Sequence, residues 1–473
     1  MALKTLIFIP TFNERENAPA MLREIDQLGL DSDILFIDDG SPDGTGMVLD
    51  ELRLEYPRLA VRHRAGKLGI GSAHQEAIQW ASDQGYAVLV TLDCDFTHSP
   101  SDIPYLIEAT NEADVAIGSR WLAKDSLPGW NVFRRGMTRL GHLLTRSLLR
   151  LPHDATGAFR VYRLDRVERE VFSLIKSQGY AFFFESLFVL RACGATIAEI
   201  PIILPARTYG SSKMTTRSAW HSLQVLFLLS LTNFCHPERF RLSVREIAID
   251  DSLSDPQDWD AYWEEKKFPS AIAYELIAAI YRNTFIRRRL NRVIGENFQP
   301  GARLLHGGCG CGQVDGDIQE EMQITAVDIS TAALALYQRN NPQAIAVFHA
   351  SIFNLSSAGE SFDGYYNLGV LEHFTKDEIR RILSEAFRVL RSGGKLVVFW
   401  PHAHAPSVYV LDFWHGVLRL MGLSQRLHPP EISLLKSRAE TLGLFTDAGF
   451  KISSFQFGPA DLWIQAVIVA EKG

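Results

Sequence analysis

Leu6-Ile7-Phe8-Ile9-Pro10-Thr11-Phe12-Asn13-Glu14 opens the chain with four apolar residues that run straight into a polar, turn-forming segment. Ile34-Leu35-Phe36-Ile37-Asp38-Asp39-Gly40-Ser41-Pro42-Asp43-Gly44-Thr45 repeats the pattern. Ala87-Val88-Leu89-Val90 does so again and leads to Asp93-Cys94-Asp95. Helical periodicity fills the gaps, from Ala18 to Leu28 and from Ser72 to Asp83. Short apolar strands alternating with helices predict an α/β domain with a largely parallel sheet. Ligands of such sheets bind beyond the carboxyl ends of the strands. Asn13, Glu14, Asp38, Asp39, Asp93 and Asp95 fall at that edge.

The rhythm breaks between His236 and Trp259, where Pro237, Pro256 and the acidic stretch IDDSLSDPQDWD interrupt it. We place one domain over 1–238, a linker over 239–257 and a second domain over 258–473. A length of 473 residues accommodates two to four domains. The second domain starts with a helical pattern from Ala271 to Ile294. Arg303-Leu304-Leu305 then begins a new alternation of strands and helices.

With 47% hydrophobic and 22% charged residues, the chain is neither disordered nor of low complexity. No stretch reaches the ~18 unbroken apolar residues of a membrane span. The best candidate, Ala219 to Phe234, is interrupted by His221, Ser222, Gln224, Ser230 and Asn233. The run Leu6 to Pro10 is too short for a signal peptide. Five cysteines, at 94, 193, 235, 309 and 311, are too few and too unevenly placed for a disulfide framework, which suits a reducing, cytoplasmic setting. Arg120 to Arg217 carries 16 Lys and Arg against 7 Asp and Glu, although the whole chain has a net charge of -7. Such a segment fits a local anionic partner or a solvated basic face.

Asp93-Cys94-Asp95 follows the apolar strand VLVTL. Where a strand ends, two carboxylates at i and i+2 can turn toward one ligand. A divalent ion held by few carboxylates plus diphosphate oxygens is the usual Mg²⁺ arrangement. Asp39 could hydrogen-bond a base or ribose between the turns that Gly40 and Gly44 permit. Taken in order, PTFNERENA, IDDGSPDGT, DCDFTHSP, GSRW and RTYGSSKM resemble the family-2 glycosyltransferases of GT-A fold. Within these, they resemble the polyprenyl-phosphate (dolichol-phosphate) mannosyltransferases, over residues 4–235.

The resemblance implies roles. Pro10, Phe12, Glu14, Ile37 and Asp39 would contact the nucleotide. Asp93, Cys94 and Asp95 would face the diphosphate, with Asp93, Asp95 and Thr97 as the ligands of Mg²⁺ or Mn²⁺. Thr97 stands where relatives use Gln or Ser. Arg120 would reach the sugar or the acceptor phosphate, Arg134 and Thr138 the acceptor phosphate. Arg207 and Lys213 match a closing basic clamp. Asp154 matches an aspartate assigned to acceptor activation; its plainer reading is a helix cap or an ion pair with Arg160. Cys94 and Phe12 replace the commoner Ala and Tyr. Met137, Leu140, Leu144, Leu148 and Leu151 recur at helical spacing among arginines 134, 135, 139, 146 and 150. They read as an interfacial membrane helix or as core packing, and Trp220 to Phe234 as a second such helix.

Arg303-Leu304-Leu305-His306-Gly307-Gly308-Cys309-Gly310-Cys311-Gly312 feeds a strand into a glycine-rich turn. Asp328 lies 20 residues after Gly308, the distance at which an acid meets ribose hydroxyls. Gln313 stands where a dinucleotide fold needs glycine. The G-x-G-x-G turn, SFDGYYNLGVLEHF (361–374) and FRVLRSGGKLVVFWP (387–401) instead resemble class I S-adenosylmethionine-dependent methyltransferases, over residues 258–471. The resemblance implies a donor site at Gly308, Gly310, Gly312, Asp328, Ser351 and Asn367. His306 replaces the usual acid, and Ser351 an Asp that contacts adenine. Cys309 and Cys311 have no companion pair at zinc spacing and read as small residues under a nucleotide. His373, His402 and His404 could deprotonate an acceptor hydroxyl, and each also has a structural reading.

The expectation is therefore an α/β chain of two domains, a GT-A fold followed by a Rossmann-like methyltransferase fold. Its expected partners are a nucleotide sugar with GDP-mannose favoured, a polyprenyl phosphate, S-adenosylmethionine and, peripherally, the cytoplasmic face of a membrane, but not nucleic acid. The alternatives are a polysaccharide-elongating enzyme with a hydroxyl acceptor, and a second domain that binds its donor without turnover.

Overall fold

The computed structural model describes residues 3–205, 215–242, 249, 253, 258–264, 272–355, 357–406 and 431–473. The chain divides into two compact units, Met1–Leu242 and Ser243–Gly473, each with its own seven-stranded sheet.

In the first unit the strands are β1 (Thr5–Thr11), β2 (Ser32–Asp38), β3 (Leu59–His63), β4 (Val88–Thr91), β5 (Val115–Ser119), β6 (Arg160–Arg163) and β7 (Ile197–Pro201). Their order is β3-β2-β1-β4-β6-β5-β7. Only β6 runs antiparallel to its neighbours. The apolar runs follow from packing on both faces. Leu6, Phe8, Leu35 and Ile37 enter one core layer, and Ile7, Ile9, Ile34 and Phe36 the opposite one. The expected helices form at Asn17–Gln27 and Ile70–Asp83. Because β6 is reversed, its amino end shares an edge with the carboxyl ends of β1, β2, β4 and β5.

Helix Val132–Leu148 starts at Asn131, whose side chain accepts the Arg134 N–H at 2.8 Å. The apolar set expected to act together on this helix divides. Met137 and Leu140 are exposed, with Val132, Phe133 and Leu143, whereas Leu144 and Leu148 pack against the core and Leu151 is buried within it. Helix Thr216–Cys235 packs beside it, and Ser230 Oγ donates to the Leu148 carbonyl at 3.0 Å. Among the described residues, no helix is long and apolar enough to cross a membrane.

In the second unit the strands are β8 (Arg303–Gly307), β9 (Gln323–Asp328), β10 (Ala346–His349), β11 (Phe362–Leu368), β12 (Leu390–Pro401), β13 (Phe450–Gln456) and β14 (Gln465–Lys472). The order is β10-β9-β8-β11-β12-β14-β13, with β14 antiparallel to both its neighbours. The helix expected from Ala271 runs on to Asn297, with one widened turn at Arg282–Ile286. Leu304 and Leu305 again bury on opposite faces, and the glycine turn follows the carboxyl end of β8, an inner strand of the sheet.

Candidate functional sites

At the edge of the first sheet, Asp38 organises its loop. Its carboxylate accepts Thr11 Oγ1–H at 3.1 Å, Ser41 N–H at 2.9 Å and Ser41 Oγ–H at 2.5 Å. Gly40 has φ +65°, and a Cβ there would stand 3.1 Å from the Arg64 carbonyl oxygen, so the loop closes only over glycine. Asp39 is buried and accepts Arg64 Nη1–H at 2.7 Å. Burial raises its carboxyl above the usual range, and the Arg64 charge and the Gly69 and Leu68 N–H groups oppose this only in part. Arg64 Nη2 also donates to Ser72 Oγ at 2.5 Å, in the first turn of helix Ile70–Asp83. Lys67 Nζ sits 4.5 Å above the centre of the Phe12 ring. Glu14 Oε2 accepts Asn17 Nδ2–H at 2.6 Å. Pro10 is half-buried. The Ile37 and Cys94 side chains are buried in the core beneath.

After β4, Phe96 adopts φ +59°, a left-handed conformation uncommon for a bulky residue. The bend brings Thr97 back to Asp95, whose Oδ1 accepts Thr97 N–H at 3.2 Å and Thr97 Oγ1–H at 2.6 Å. Asp93 N–H donates to His98 Nδ1 at 3.1 Å, which places the ring proton on Nε2. Asp93 and Asp95 are hard oxygen donors of the kind a divalent cation takes, and Thr97 fixes one of them.

Asp154 is fully committed. It accepts Arg120 Nε–H at 2.8 Å, Arg120 Nη2–H at 2.5 Å and the Arg120 backbone N–H at 3.0 Å. Burial would raise its pKa, but the Arg120 charge and hydrogen bonds outweigh burial and hold the carboxyl below its usual range. Asp154 is therefore neither a helix cap nor the partner of Arg160. Arg160 is buried elsewhere, donating to Ser186 Oγ and to the carbonyls of Ala155, Gly157 and Phe183. Arg120 Nη2 also reaches Thr156 Oγ1 at 2.5 Å. Trp121 stacks on His142 of helix Val132–Leu148 at 4.6 Å, so this helix touches the segment that carries Arg120. Arg134 lies with its guanidinium 3.6 Å from the Trp130 ring centre, and Thr138 stands one turn along. Arg207 and Lys213 lie outside the described residues.

In the second unit Gly308 packs against Val370, Gly310 against Trp263, and Gly312 against Tyr337 and Asn341. Asp328 accepts Gly310 N–H at 2.8 Å and Ser330 N–H at 2.9 Å, and burial raises its carboxyl. His306, which stands where an acid was expected, is joined to one nine residues on. Its Nδ1 lies 2.6 Å from Asp315 Oδ2. Tyr337 and Tyr366 donate to the same oxygen at 2.7 and 2.9 Å, and the His306 ring stacks on Tyr366 at 4.2 Å. Asp315 is wholly buried, and its Oδ1 has no hydrogen-bond partner among the described residues. Asn367 and Glu372 are also buried, each with one side-chain oxygen that finds no partner among the described residues. Burial pushes Glu372 up to about 8. Ser351 pairs in a bridge with Asn354. Burial pushes the Cys309 thiol well above its usual value, which fits a packed thiol. His402 stacks on Phe457 at 4.3 Å, and its Nδ1 accepts the His404 N–H at 3.2 Å. His373 meets Trp259 edge-on.

Residues 6–169 match the family profile Glycosyl transferase family 2, and residues 305–398 match Methyltransferase domain. The polyprenol monophosphomannose synthase of Mycolicibacterium smegmatis is 37% identical over 215 residues, covering 45% of this chain and 81% of the relative. The undecaprenyl-phosphate mannosyltransferase of Micrococcus luteus is 37% identical over 214 residues, covering 45% and 88%. Among solved structures, a S-adenosylmethionine-dependent methyltransferase from Methanosarcina mazei is 22% identical, with TM-score 0.30, over 38% of this chain and 96% of the other. The magnesium protoporphyrin IX methyltransferase of Synechocystis is 13% identical, with TM-score 0.35, over 47% and 100%. The chain thus belongs to the family-2 glycosyltransferases, beside the polyprenyl-phosphate mannosyltransferases, and joins to that glycosyltransferase a methyltransferase domain.

Proposed function

We propose that the first unit transfers mannose from GDP-mannose to a polyprenyl phosphate, at the cytoplasmic face of a membrane. The observation that carries the acceptor reading is Asp154, which is buried, ionised and held by three donors of Arg120. A hydroxyl acceptor needs a group to take its proton. A phosphate acceptor arrives already ionised and needs none. The mannosyltransferase names of both relatives support the sugar and the lipid.

In this reading the acceptor phosphate oxygen attacks the anomeric carbon as the bond to the diphosphate breaks. Phe12, Pro10, Glu14, Asp39 and the main chain at Ile37 and Cys94 orient the nucleotide. Asp93 and Asp95 would hold a divalent cation, with Thr97 fixing Asp95; when bound, it would supply positive charge to the departing diphosphate. Asp154 positions Arg120 toward the sugar or acceptor phosphate, Arg134 and Thr138 meet the acceptor, and Arg207 and Lys213 complete the clamp. The exposed face of Val132 (86%), Phe133 (78%), Met137, Leu140 and Leu143, flanked by Arg139 and Arg146, rests in the membrane interface, together with Trp220, Phe227 and Leu228 of helix Thr216–Cys235.

The second unit transfers a methyl group from S-adenosylmethionine to a glycan-related acceptor, a reading motivated by the fusion. Gly308, Gly310, Gly312, Asp328, Asn367 and the segment at Ser351 frame the donor. Alignment of the attacking atom with the methyl carbon supplies most of the catalysis.

The test incubates purified protein with GDP-mannose or UDP-glucose, a short polyprenyl phosphate and Mg²⁺ or Mn²⁺, and reads lipids by mass spectrometry. A hexosyl-phosphate lipid formed from GDP-mannose and lost in Asp95→Asn supports the reading. Product from UDP-glucose alone would replace the sugar. Adding S-adenosylmethionine then asks whether that lipid gains a methyl group.

A further inference from the structure

The short helix Trp259–Glu264 lies on the donor turn of the second unit, and one side chain fastens it there. Asp260 Oδ1 accepts Ser330 Oγ–H at 2.6 Å and Ala332 N–H at 3.0 Å, and Oδ2 accepts Thr331 Oγ1–H at 3.1 Å. These groups open helix Thr331–Asn340. Burial raises the Asp260 carboxyl, but the three donors outweigh it and hold the group below its usual range. Ser330 links this clasp to the ribose acid, because its own N–H donates to Asp328 Oδ1 at 2.9 Å.

So fastened, the helix lays two indoles on the site. Trp263 Cζ2 is 2.9 Å from where a Cβ on residue 310 would stand, so the ring covers Gly310. Trp259 meets the His373 ring edge-on, 5.1 Å between centres. The methyl donor carries a positive charge on sulfur, and the thioether left after transfer is neutral and nearly the same shape. An indole face attracts a cation through its quadrupole and has no such preference for a thioether. We propose that Trp263, positioned by the Asp260 clasp, is a specificity-determining residue that favours the sulfonium donor over the thioether product. This rests on the reading of the second unit as a S-adenosylmethionine site.

The experiment measures S-adenosylmethionine and S-adenosylhomocysteine binding to the full chain by calorimetry, with circular dichroism as the check of folding. Trp263→Leu is expected to weaken the sulfonium ligand about ten-fold, or about 1.4 kcal/mol, and the thioether less than about three-fold. Trp263→Phe, the milder variant, should give an intermediate ratio. Asp260→Asn, which loosens the clasp that positions Trp263, should shift the ratio in the same direction as Trp263→Leu but by less. Equal losses in both Trp263 variants, or none, would overturn the proposal while leaving the donor site standing. Failure of the native chain to bind either ligand would overturn the donor reading and the proposal with it.

Discussion

The two units present their ligand edges in similar places but differ in the cations that accompany their buried acids. In the first, two buried acids of the edge are paired with arginines, Asp39 with Arg64 and Asp154 with Arg120, Lys67 and Arg134 stand on aromatic rings, and Asp38 and Asp95 are held by hydroxyl and amide donors. In the second, Asp315 is held by two tyrosine hydroxyls and the His306 ring, Asp328 by amide donors, and Glu372 is buried near Glu431, while an indole lies against the turn. On the proposed reading the difference follows the ligands, since a nucleoside diphosphate and a lipid phosphate would bring negative charge that fixed guanidinium groups stabilise together with the leaving group. A sulfonium donor brings a positive charge, which a guanidinium would repel and a carboxylate or an aromatic face attracts.

This contrast can be broken by substitution. The largest effect is expected at Arg120. Arg120→Ala leaves Asp154 buried and uncompensated, at a cost of about 3–5 kcal/mol, and the thermal transition of the first unit should fall sharply. An unchanged transition would mean the pair does not hold that edge. Glu372 should respond to pH. Burial lifts its folded value from 4.5 to about 8, so the folded chain keeps a proton that the unfolded chain releases. Its contribution to stability is then fully present below about pH 4.5 and is lost by up to about 1.4 kcal/mol per unit as pH rises toward 8. Glu372→Gln should flatten that slope for the second unit, and parallel pH profiles for variant and native chain would contradict it. Asp154→Asn sharpens the acceptor question. As a positioning residue it should slow the chemical step about ten-fold, whereas loss of a general base costs about 10²–10⁴-fold. The smallest effect concerns the exposed helix. Phe133→Asp should weaken sedimentation with vesicles of phosphatidylglycerol and phosphatidylcholine about ten-fold, close to the burial energy of one apolar side chain, with GDP-mannose binding unchanged. Equal sedimentation would remove that helix from the interface.

Much of this could be read along the chain because its signals are local. Runs such as Leu6 to Ile9 are apolar throughout because both faces are buried, and the acids that follow them fall at the carboxyl ends of strands. Partnerships across the sequence were not legible. Arg64 meets Asp39 from 25 residues away and Arg120 meets Asp154 across 34, and no local spacing announces either pair. His306 read as the loss of an acid, yet Asp315 supplies a carboxylate beside it once the turn folds back. Periodicity marked a helix through Met137, Leu140, Leu144, Leu148 and Leu151, which forms as Val132–Leu148 with Leu151 beyond its end, but could not say which leucines face outward. Leu148 belongs to the core, while Val132 and Phe133 carry the exposed face. Trp263 carries no motif, and only the fold brings it to Gly310.

The most direct measurement offers the purified chain GDP-mannose and a divalent cation together with three acceptors in parallel: a polyprenyl phosphate, the matching polyprenol and a free mannoside. The products would be separated and read by mass spectrometry. The expected result is a mannosyl-phosphate lipid from the polyprenyl phosphate alone. Mannose transferred to the hydroxyl of the mannoside or polyprenol, with none on the lipid phosphate, would contradict the reading of Asp154 as a partner for Arg120 in place of a base.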